Sequence, residues 1–165
     1  MKSKILSYLF IASVITVLYG CPYQSDIALD SPKEEVAGKM LGQWIESSQV
    51  ESENPTYYVV TKFDNFRYKI VEHSYSSSDS AYSEKNFIGH TTTISSTLFL
   101  NMQELGKDKY DIYKLDFSNT EFSMFEVTDN IDETFTTSKA FIKFVKKNMK
   151  NSYFYNNNEK KYIRK

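Results

Sequence analysis

The residues of this sequence that could bind a metal ion are few and far apart. The only histidines are His73 and His90, and the only cysteine is Cys21. A zinc site needs three or four nitrogen, sulfur or oxygen ligands held close together. The spacing therefore predicts no metal site, and we expect His90 to bond to a main-chain carbonyl of a neighbouring strand or loop.

The acidic residues do not form a recognisable catalytic or calcium motif either. The group Asp129, Asp132 and Glu133 lacks the central glycine and twelve-residue frame of a calcium loop, so a solvated turn is favoured. No Gly-x-Ser-x-Gly segment occurs, and the two histidines with scattered serines define no triad. A hydrolase would need paired carboxylates on one face, for which the candidates are Glu72, Asp111, Asp116 and Glu121. We therefore predict a protein that is not an enzyme and has no cofactor.

Aromatic side chains are the most distinctive chemistry of the chain. They make up 16% of the residues, with 13 tyrosines and 12 phenylalanines against only 5 glycines. Because tyrosine combines an apolar ring with a polar tip, such residues can line a cavity or a protein-binding surface. The tyrosines considered for this role are Tyr57, Tyr58, Tyr68, Tyr75, Tyr82, Tyr110 and Tyr113. The candidates for ligand binding are Trp44, Tyr57, Tyr68 and His90. The competing interpretation is core packing and cross-strand pairing, with Trp44 as a plug in the core.

Composition places these residues in one ordinary globular domain. The chain has 165 residues, of which 41% are hydrophobic and 25% charged. Its net charge is −1, and it would become −3 if the two positive charges of Lys2 and Lys4 were removed with the amino-terminal segment. Such a balance offers no electrostatic reason to attract nucleic acid.

The amino terminus has the layout of a secretory signal. Lys2 and Lys4 precede an apolar run over residues 5–18, and Gly20 and Cys21 follow shortly after this run. A membrane-spanning helix would need about 20 apolar residues, so this run is too short to cross comfortably. We predict Sec-type export.

The tetrapeptide Leu18-Tyr19-Gly20-Cys21 resembles the lipobox of bacterial lipoproteins. The resemblance implies cleavage after a signal peptide of residues 1–20, attachment of a diacylglyceryl group to the Cys21 thiol, and acylation of the new amine. Buried acyl chains stabilise attachment by about 0.8 kcal/mol per CH₂. Tyr19 is larger than the residue most common there, and Pro22 implies outer-membrane sorting if the host is Gram-negative. The alternatives are an uncleaved signal anchor and a secreted protein with a free thiol.

The first elements after the anchor are a tether and a helix. Residues 21–30 show no periodicity, which predicts a tether to a single β-rich domain over 31–165. Ser31-Pro32-Lys33-Glu34 has the pattern of a capping box, which predicts a short helix to about Met40, ended by Gly42.

Period-two alternation then predicts a series of antiparallel strands. Asp64-Asn65 is interpreted as a two-residue hairpin connection, and the serine-rich residues 74–83 as an exposed loop. The predicted strands cover residues 43–47, 57–63, 66–70, 86–94, 98–102, 109–117 and 121–128, with one or two more in 153–165.

One amphipathic helix is predicted before the terminal strands. Phe141, Phe144 and Val145 fall at helical spacing, lysines occupy the opposite side, and Ser138 is the expected N-cap. The lysine face is interpreted as solvated, with contact to anionic lipid headgroups as the alternative.

The order of these elements resembles the lipocalin or calycin plan. A short helix, Gly42-Gln43-Trp44 at the first strand, a run of antiparallel strands, a late helix and a final strand carry the resemblance. It implies an antiparallel barrel or sandwich. The segments 89–94 and 98–101 are similar to a stretch of uncharacterised bacterial secreted proteins, which implies no activity.

The sequence thus leads to two functional hypotheses. The first is an envelope lipoprotein, held to a membrane through Cys21, whose lipocalin-like barrel binds a small apolar ligand. The second is a binding or assembly accessory of an envelope complex that works through its outer surface and has no ligand cavity.

Overall fold

The computed structural model describes residues 23–118, 120–128, 131–156 and 159–165, and shows one antiparallel sheet of nine strands. Cys21 and the predicted signal peptide lie outside the described residues. The strands are β1 (Gln24–Ser25), β2 (Gly42–Glu46), β3 (Tyr57–Lys62), β4 (Tyr68–Ser76), β5 (Ala81–Ile94), β6 (Thr97–Glu104), β7 (Tyr110–Phe117), β8 (Glu121–Glu126) and β9 (Lys160–Arg164).

Strands β2 to β9 close into an eight-stranded antiparallel barrel, which confirms the predicted fold class. Each strand pairs with the next along the chain, and β9 pairs with both β8 and β2. Tyr162 of β9 lies opposite Phe122 on one side and Glu46 on the other. Because β9 joins the first and last strands of the meander, both edges of the sheet are paired.

Alternation along the strands separates two apolar cores. Side chains that point inward fill the barrel, as expected for strands whose successive residues face opposite sides. The buried members of this inner core are Met40, Trp44, Val60, Tyr68, Ile70, Phe87, Leu100, Met102, Tyr113, Leu115 and Tyr162.

The second core lies between the outside of the barrel and helix α1 (Ser138–Asn148). Phe141 and Val145 of α1 are fully buried against Phe99 and Ile112, which point outward from β6 and β7. The N-cap differs from the predicted Ser138. Thr137 accepts the Ala140 N–H, because the Ser138 hydroxyl donates instead to the Ala28 carbonyl. Within the described ranges, no helix has the length and apolar character needed to span a membrane.

The predicted α-helix over 31–40 is reduced to a single 3₁₀ turn at Gly38–Met40. The capping box does not form, because the Glu34 carboxylate accepts the Thr93 N–H at the end of β5. The Val36 N–H donates to the Asn65 carbonyl. Contacts with the barrel therefore take the groups that would have begun a helix.

Two predicted connections also differ from the structure. The hairpin between β3 and β4 is present, but its connection is the five residues 63–67 rather than the two residues Asp64-Asn65. The Asp64 carboxylate accepts the N–H groups of both Phe66 and Arg67 at 2.8 Å, which stabilises the longer loop. The predicted loop 74–83 is mostly paired strand, and only 77–80 connect β4 to β5. Tyr75 and Tyr82 stabilise that pairing with their rings 5.4 Å apart.

The described part of the predicted tether lies against the barrel. Strand β1 pairs with β7, Tyr23 is buried and its ring lies 5.8 Å from that of Phe141, and Leu29 is fully buried. At the other terminus, the predicted strands are present as β9 and a bridge between Val127 and Tyr155.

Candidate ligand site inside the barrel

The two ends of the barrel differ in what covers them. At one end, the short connections 63–67 and 95–96 meet the segment that precedes β2, whose Met40 and Leu41 pack on the inner core. We call this the closed end. The other end carries the connections 47–56, 77–80 and 105–109, together with the last residue of β8 and the first residue of β9, and we call it the open end.

Trp44 blocks the closed end. It is 2% exposed, and its indole N–H donates to the Met40 carbonyl at 2.9 Å. Arg164, at the end of β9, lies 4.8 Å from the indole ring and donates to the Lys39 carbonyl at 2.6 Å. These contacts hold together β2, β9 and the 3₁₀ turn at Gly38–Met40. Gly42, at a φ of +128°, allows the chain to pass from that turn into β2.

An apolar cavity of about 40 Å³ lies above Trp44 within the barrel. This is space for roughly three water-sized groups, far less than the 300–1,000 Å³ of a typical drug-sized site. Three of its lining residues are methionines, whose flexible side chains adapt easily to a ligand. The lining residues are Met40, Trp44, Tyr58, Val60, Ile70, Leu100, Met102, Leu115, Phe117, Phe122, Met124 and Tyr162.

Tyrosines lie between this cavity and the open end. The rings of Tyr58 and Tyr162 meet edge to face at 5.6 Å, and the Tyr58 hydroxyl donates to the Glu72 carboxylate at 2.7 Å. Burial raises the pKa of both tyrosines above its ordinary value. Tyr113, from β7, is 8% exposed, and burial together with the neighbouring Asp111 and Glu126 carboxylates raises its pKa strongly. These hydroxyls are therefore neutral and can donate hydrogen bonds at ordinary pH.

Above the tyrosines, five half-buried carboxylates occupy inward positions toward the open end on five strands. We call them the mouth carboxylates; they are Glu46 (β2), Glu72 (β4), Glu104 (β6), Asp111 (β7) and Glu126 (β8). Burial raises the pKa of Asp111, an effect opposed by the amide of Gln24, which donates to its carboxylate at 3.0 Å. Glu126 and Glu104 raise the same pKa further, which places their negative charges near Asp111.

The four carboxylates considered for hydrolysis do not meet on one face. Glu72 and Asp111 point into the open end. Asp116 lies on the outer face of β7, 2.8 Å from the amine of Lys114, and Glu121 is exposed at the closed end of β8. Because successive residues of a strand face opposite sides of the sheet, Glu72 and Asp111 face the barrel interior whereas Asp116 and Glu121 face outward.

The four sequence candidates for ligand binding occupy different surroundings. Trp44 borders the cavity. Tyr68 is fully buried near the closed end, where its hydroxyl accepts the Ala37 N–H at 2.8 Å. Tyr57 stacks on His73 on the outside of the barrel, with ring centroids 4.5 Å apart. His90 also faces outward, with Nε2 2.7 Å from the Asp30 carbonyl, as expected from the sequence.

Sequence reasoning did not single out four residues that shape the site, namely Tyr162, Glu46, Glu104 and Glu126. It considered Tyr58 and Tyr113 among the tyrosines for a cavity or a protein-binding surface, and Glu72 and Asp111 only for hydrolysis. A signal for Tyr58 was present, because it alternates in phase with the buried Val60. No such signal connects strands that are far apart in the chain.

Metal ligation has no evident place in the described part of the chain. Residues 23–118, 120–128, 131–156 and 159–165 contain no group of three His, Cys, Asp or Glu side chains close enough to hold an ion. Asp132 and Glu133 are exposed, and Asp129 lies outside the described residues.

Comparison with protein families, curated proteins and solved structures finds no match to the chain.

Proposed function

We propose that this chain is a lipid-anchored protein of the bacterial envelope whose barrel binds a small, mainly apolar ligand. The observation that carries the proposal is the apolar cavity above Trp44, inside a barrel blocked at one end. Binding sites in barrels of this size lie inside, where the inward side chains leave room. The connections at the open end are the route of entry.

The size of the cavity restricts the ligand. With space for roughly three water-sized groups, the cavity accepts the end of a hydrocarbon chain without rearrangement. A longer chain requires Met40, Met102 and Met124 to adopt other rotamers, which costs little for an unbranched thioether. The rest of the ligand then lies among the tyrosines toward the open end.

Binding is tested with 1-hexanol, titrated into the isotopically labelled mature protein and followed by chemical shifts. We expect the shifts to concentrate on cavity residues. Val60→Phe fills the cavity and abolishes binding, whereas Val59→Phe places the same ring on the outer face of β3 and serves as the control. Amide spectra of both variants verify that the barrel is intact. The proposal is wrong if wild type does not bind hexanol, or if Val60→Phe binds it equally well.

The anchor is proposed at Cys21, as the lipobox resemblance implies. Tyr23 is already buried beside Phe141 of α1, so only Pro22 would separate the lipidated cysteine from the barrel. The barrel would then lie close to the membrane surface, with α1 beside the point of attachment. If the host is Gram-negative, Pro22 favours the outer membrane.

Anchoring is tested by intact mass and by fractionation of cells that produce the full chain. We expect the wild-type protein to carry fatty acyl chains and to sediment with membranes, and Cys21→Ser to be released. An unmodified sulfur in the wild type would refute the anchor without affecting the proposed cavity.

A surface-mediated role in an envelope complex is the second candidate, and the small size of the cavity is the observation that favours it. A protein of this kind would be recovered with a defined partner after mild cross-linking in cells, whereas a ligand carrier would be recovered alone. Loss of that partner with outward substitutions, but not with Val60→Phe, would support the second candidate.

A further inference from the structure

Positive charge is concentrated on the outer side of helix α1. Five exposed lysines lie on the helix and directly after it, and the sequence has no acidic residue from 134 to 158. At about 100° per residue, these lysines fall within roughly a third of the helix circumference. Phe141 and Val145, on the opposite side, are fully buried against the barrel, so the lysines point away from it. We call these residues the lysine face; they are Lys139, Lys143, Lys146, Lys147 and Lys150.

The described part of the protein does not neutralise this charge. The ion pairs among the described residues join other groups, and none includes a member of the lysine face. Lys146 and Lys147 lie in the last turn of α1, where the helix dipole favours positive charge. Lys139 lies in the first turn, where the dipole disfavours it. Helix stability therefore does not account for the whole face, which is available to an external negative surface.

A second, independent observation is the position of Tyr23 beside the same helix. Its ring lies 5.8 Å from that of Phe141, and its hydroxyl donates to the Glu133 carbonyl at 3.1 Å, shortly before α1 begins. Cys21 precedes Tyr23 by two residues, which span at most about 7 Å. Because a helix is about 10–12 Å in diameter, a membrane that holds a lipid on Cys21 lies within reach of the lysine face.

An exposed aromatic ring also lies near the carboxyl end of α1. Tyr153 is 72% exposed, whereas the neighbouring Phe154 is buried in the outer core and fixes the position of this 3₁₀ turn. Tyrosine is enriched at the boundary between water and lipid, because its ring is apolar and its hydroxyl is polar. The ring of Tyr153 is therefore suited to the same surface that the lysines would contact.

We infer that the lysine face is a membrane-docking surface, which binds the anionic phosphate headgroups of the bilayer in which the protein is anchored. This inference rests on the proposed lipid anchor. Lysine ammonium groups donate charge-assisted hydrogen bonds to phosphate, and each lysine near an anionic membrane strengthens binding about fivefold. Because α1 covers the outward residues Phe99 and Ile112, docking turns the barrel wall formed by β6 and β7 toward the membrane.

The experiment measures binding of the mature chain to lipid vesicles by sedimentation. Cys21→Ser is introduced so that no acyl chain contributes to binding. The vesicles contain phosphatidylcholine alone or phosphatidylcholine with about 30% phosphatidylglycerol, at about 50 mM NaCl. We expect binding to the anionic vesicles to be at least about tenfold stronger. Raising NaCl to about 0.5 M should remove this preference, because salt screens exposed charge.

Matched double variants remove two exposed lysines from different sides of the protein. Lys143→Gln with Lys147→Gln, on α1, should weaken binding to the anionic vesicles about 30-fold. Lys62→Gln with Lys69→Gln, on β3 and β4, removes the same charge away from the strands that α1 covers. This control pair should change binding by less than about threefold, because charges beyond the screening length contribute little. Circular dichroism of both double variants verifies that the barrel is folded.

The outcomes separate this inference from the anchor on which it rests. If the anionic vesicles bind the chain no better than the neutral ones, the docking surface is refuted, whatever the state of Cys21. If the control pair weakens binding as much as the α1 pair does, the effect is general charge attraction and the inference fails. Binding to polyglutamate but not to anionic vesicles would assign the lysine face to an acidic protein instead. If only the α1 pair matters but the wild-type sulfur is unacylated, the anchor fails and the docking surface stands.

Discussion

Asn101 provides the sharpest test of how the amino-terminal segment is held to the barrel. It is fully buried on the outer face of β6, where its side-chain oxygen accepts the Leu29 N–H at 2.7 Å. Its amide nitrogen donates to the His90 carbonyl at 3.2 Å and to the Thr92 hydroxyl at 3.0 Å. One side chain therefore satisfies three groups, one of which belongs to a segment 72 residues earlier in the chain.

We expect Asn101→Ala to destabilise the protein by about 3–5 kcal/mol. Loss of the two donated bonds costs about 1 kcal/mol each, and leaving the buried Leu29 N–H without an acceptor costs about 1–3 kcal/mol. A domain of this kind has a total stability of about 5–15 kcal/mol. With a urea dependence of about 2 kcal/mol per molar, the midpoint of unfolding falls by about 1.5–2.5 M.

Urea unfolding of the mature protein, followed by circular dichroism, measures this loss. Asn101→Leu restores most of the volume but none of the hydrogen bonds, so it should remain destabilised by at least about 2 kcal/mol. Asn54→Ala, on the exposed connection between β2 and β3, should change stability by less than about 0.5 kcal/mol. If Asn101→Leu recovers wild-type stability, the loss in Asn101→Ala comes from a cavity, and the hydrogen-bond reasoning is refuted.

Three further predictions concern the barrel. Burial lowers the pKa of His90, so the folded protein keeps its ring neutral while the unfolded chain takes up a proton below about pH 6.5. Stability should therefore fall with pH below that value, by up to about 1.4 kcal/mol per unit, and urea midpoints between pH 7.5 and 5.5 should show a flatter profile for His90→Gln. A β-carbon at Gly89 would lie 3.1 Å from two core methyl groups, so Gly89→Ala should cost about 1–3 kcal/mol in urea unfolding. Gly38→Ala, which meets open space, should be near neutral; equal effects would contradict the packing. Arg164→Lys should destabilise the protein by about 1–2 kcal/mol, because a lysine cannot both cover the Trp44 indole and reach the Lys39 carbonyl in the same geometry. Thermal unfolding measures this loss, and an unchanged midpoint would contradict the role given to Arg164.

Most strands could be predicted because their signal is local. Alternation of apolar and polar residues does not depend on what a strand pairs with, so the prediction for 86–94 lies within the observed β5. The same holds for α1, where helical spacing identified Phe141 and Val145 as the buried face. The barrel could be expected from the order of these elements.

The errors arise where a partner on another strand competes with a local pattern. Residues 31–34 have the local pattern of a capping box, but the box does not form because the Glu34 carboxylate accepts the Thr93 N–H instead. The serines at 74–83 indicate a loop, but pairing of Tyr75 with Tyr82 extends both strands through them. In the first case the competing group, Thr93, comes near Glu34 only in the folded barrel. In the second case the cross-strand pairing of two tyrosines in one hairpin outweighs the local turn signal.

The sequence by itself determined most of the segments that become strands, which side of these strands is apolar, and which face of the late helix is apolar, because these follow from spacing within a few residues. Only the tertiary structure decided that Glu46 and Glu126, 80 residues apart, open into one mouth above a cavity blocked by Trp44. The reason is physical: β9 pairs with both β8 and β2, and this closure sets the register that brings the strand ends together.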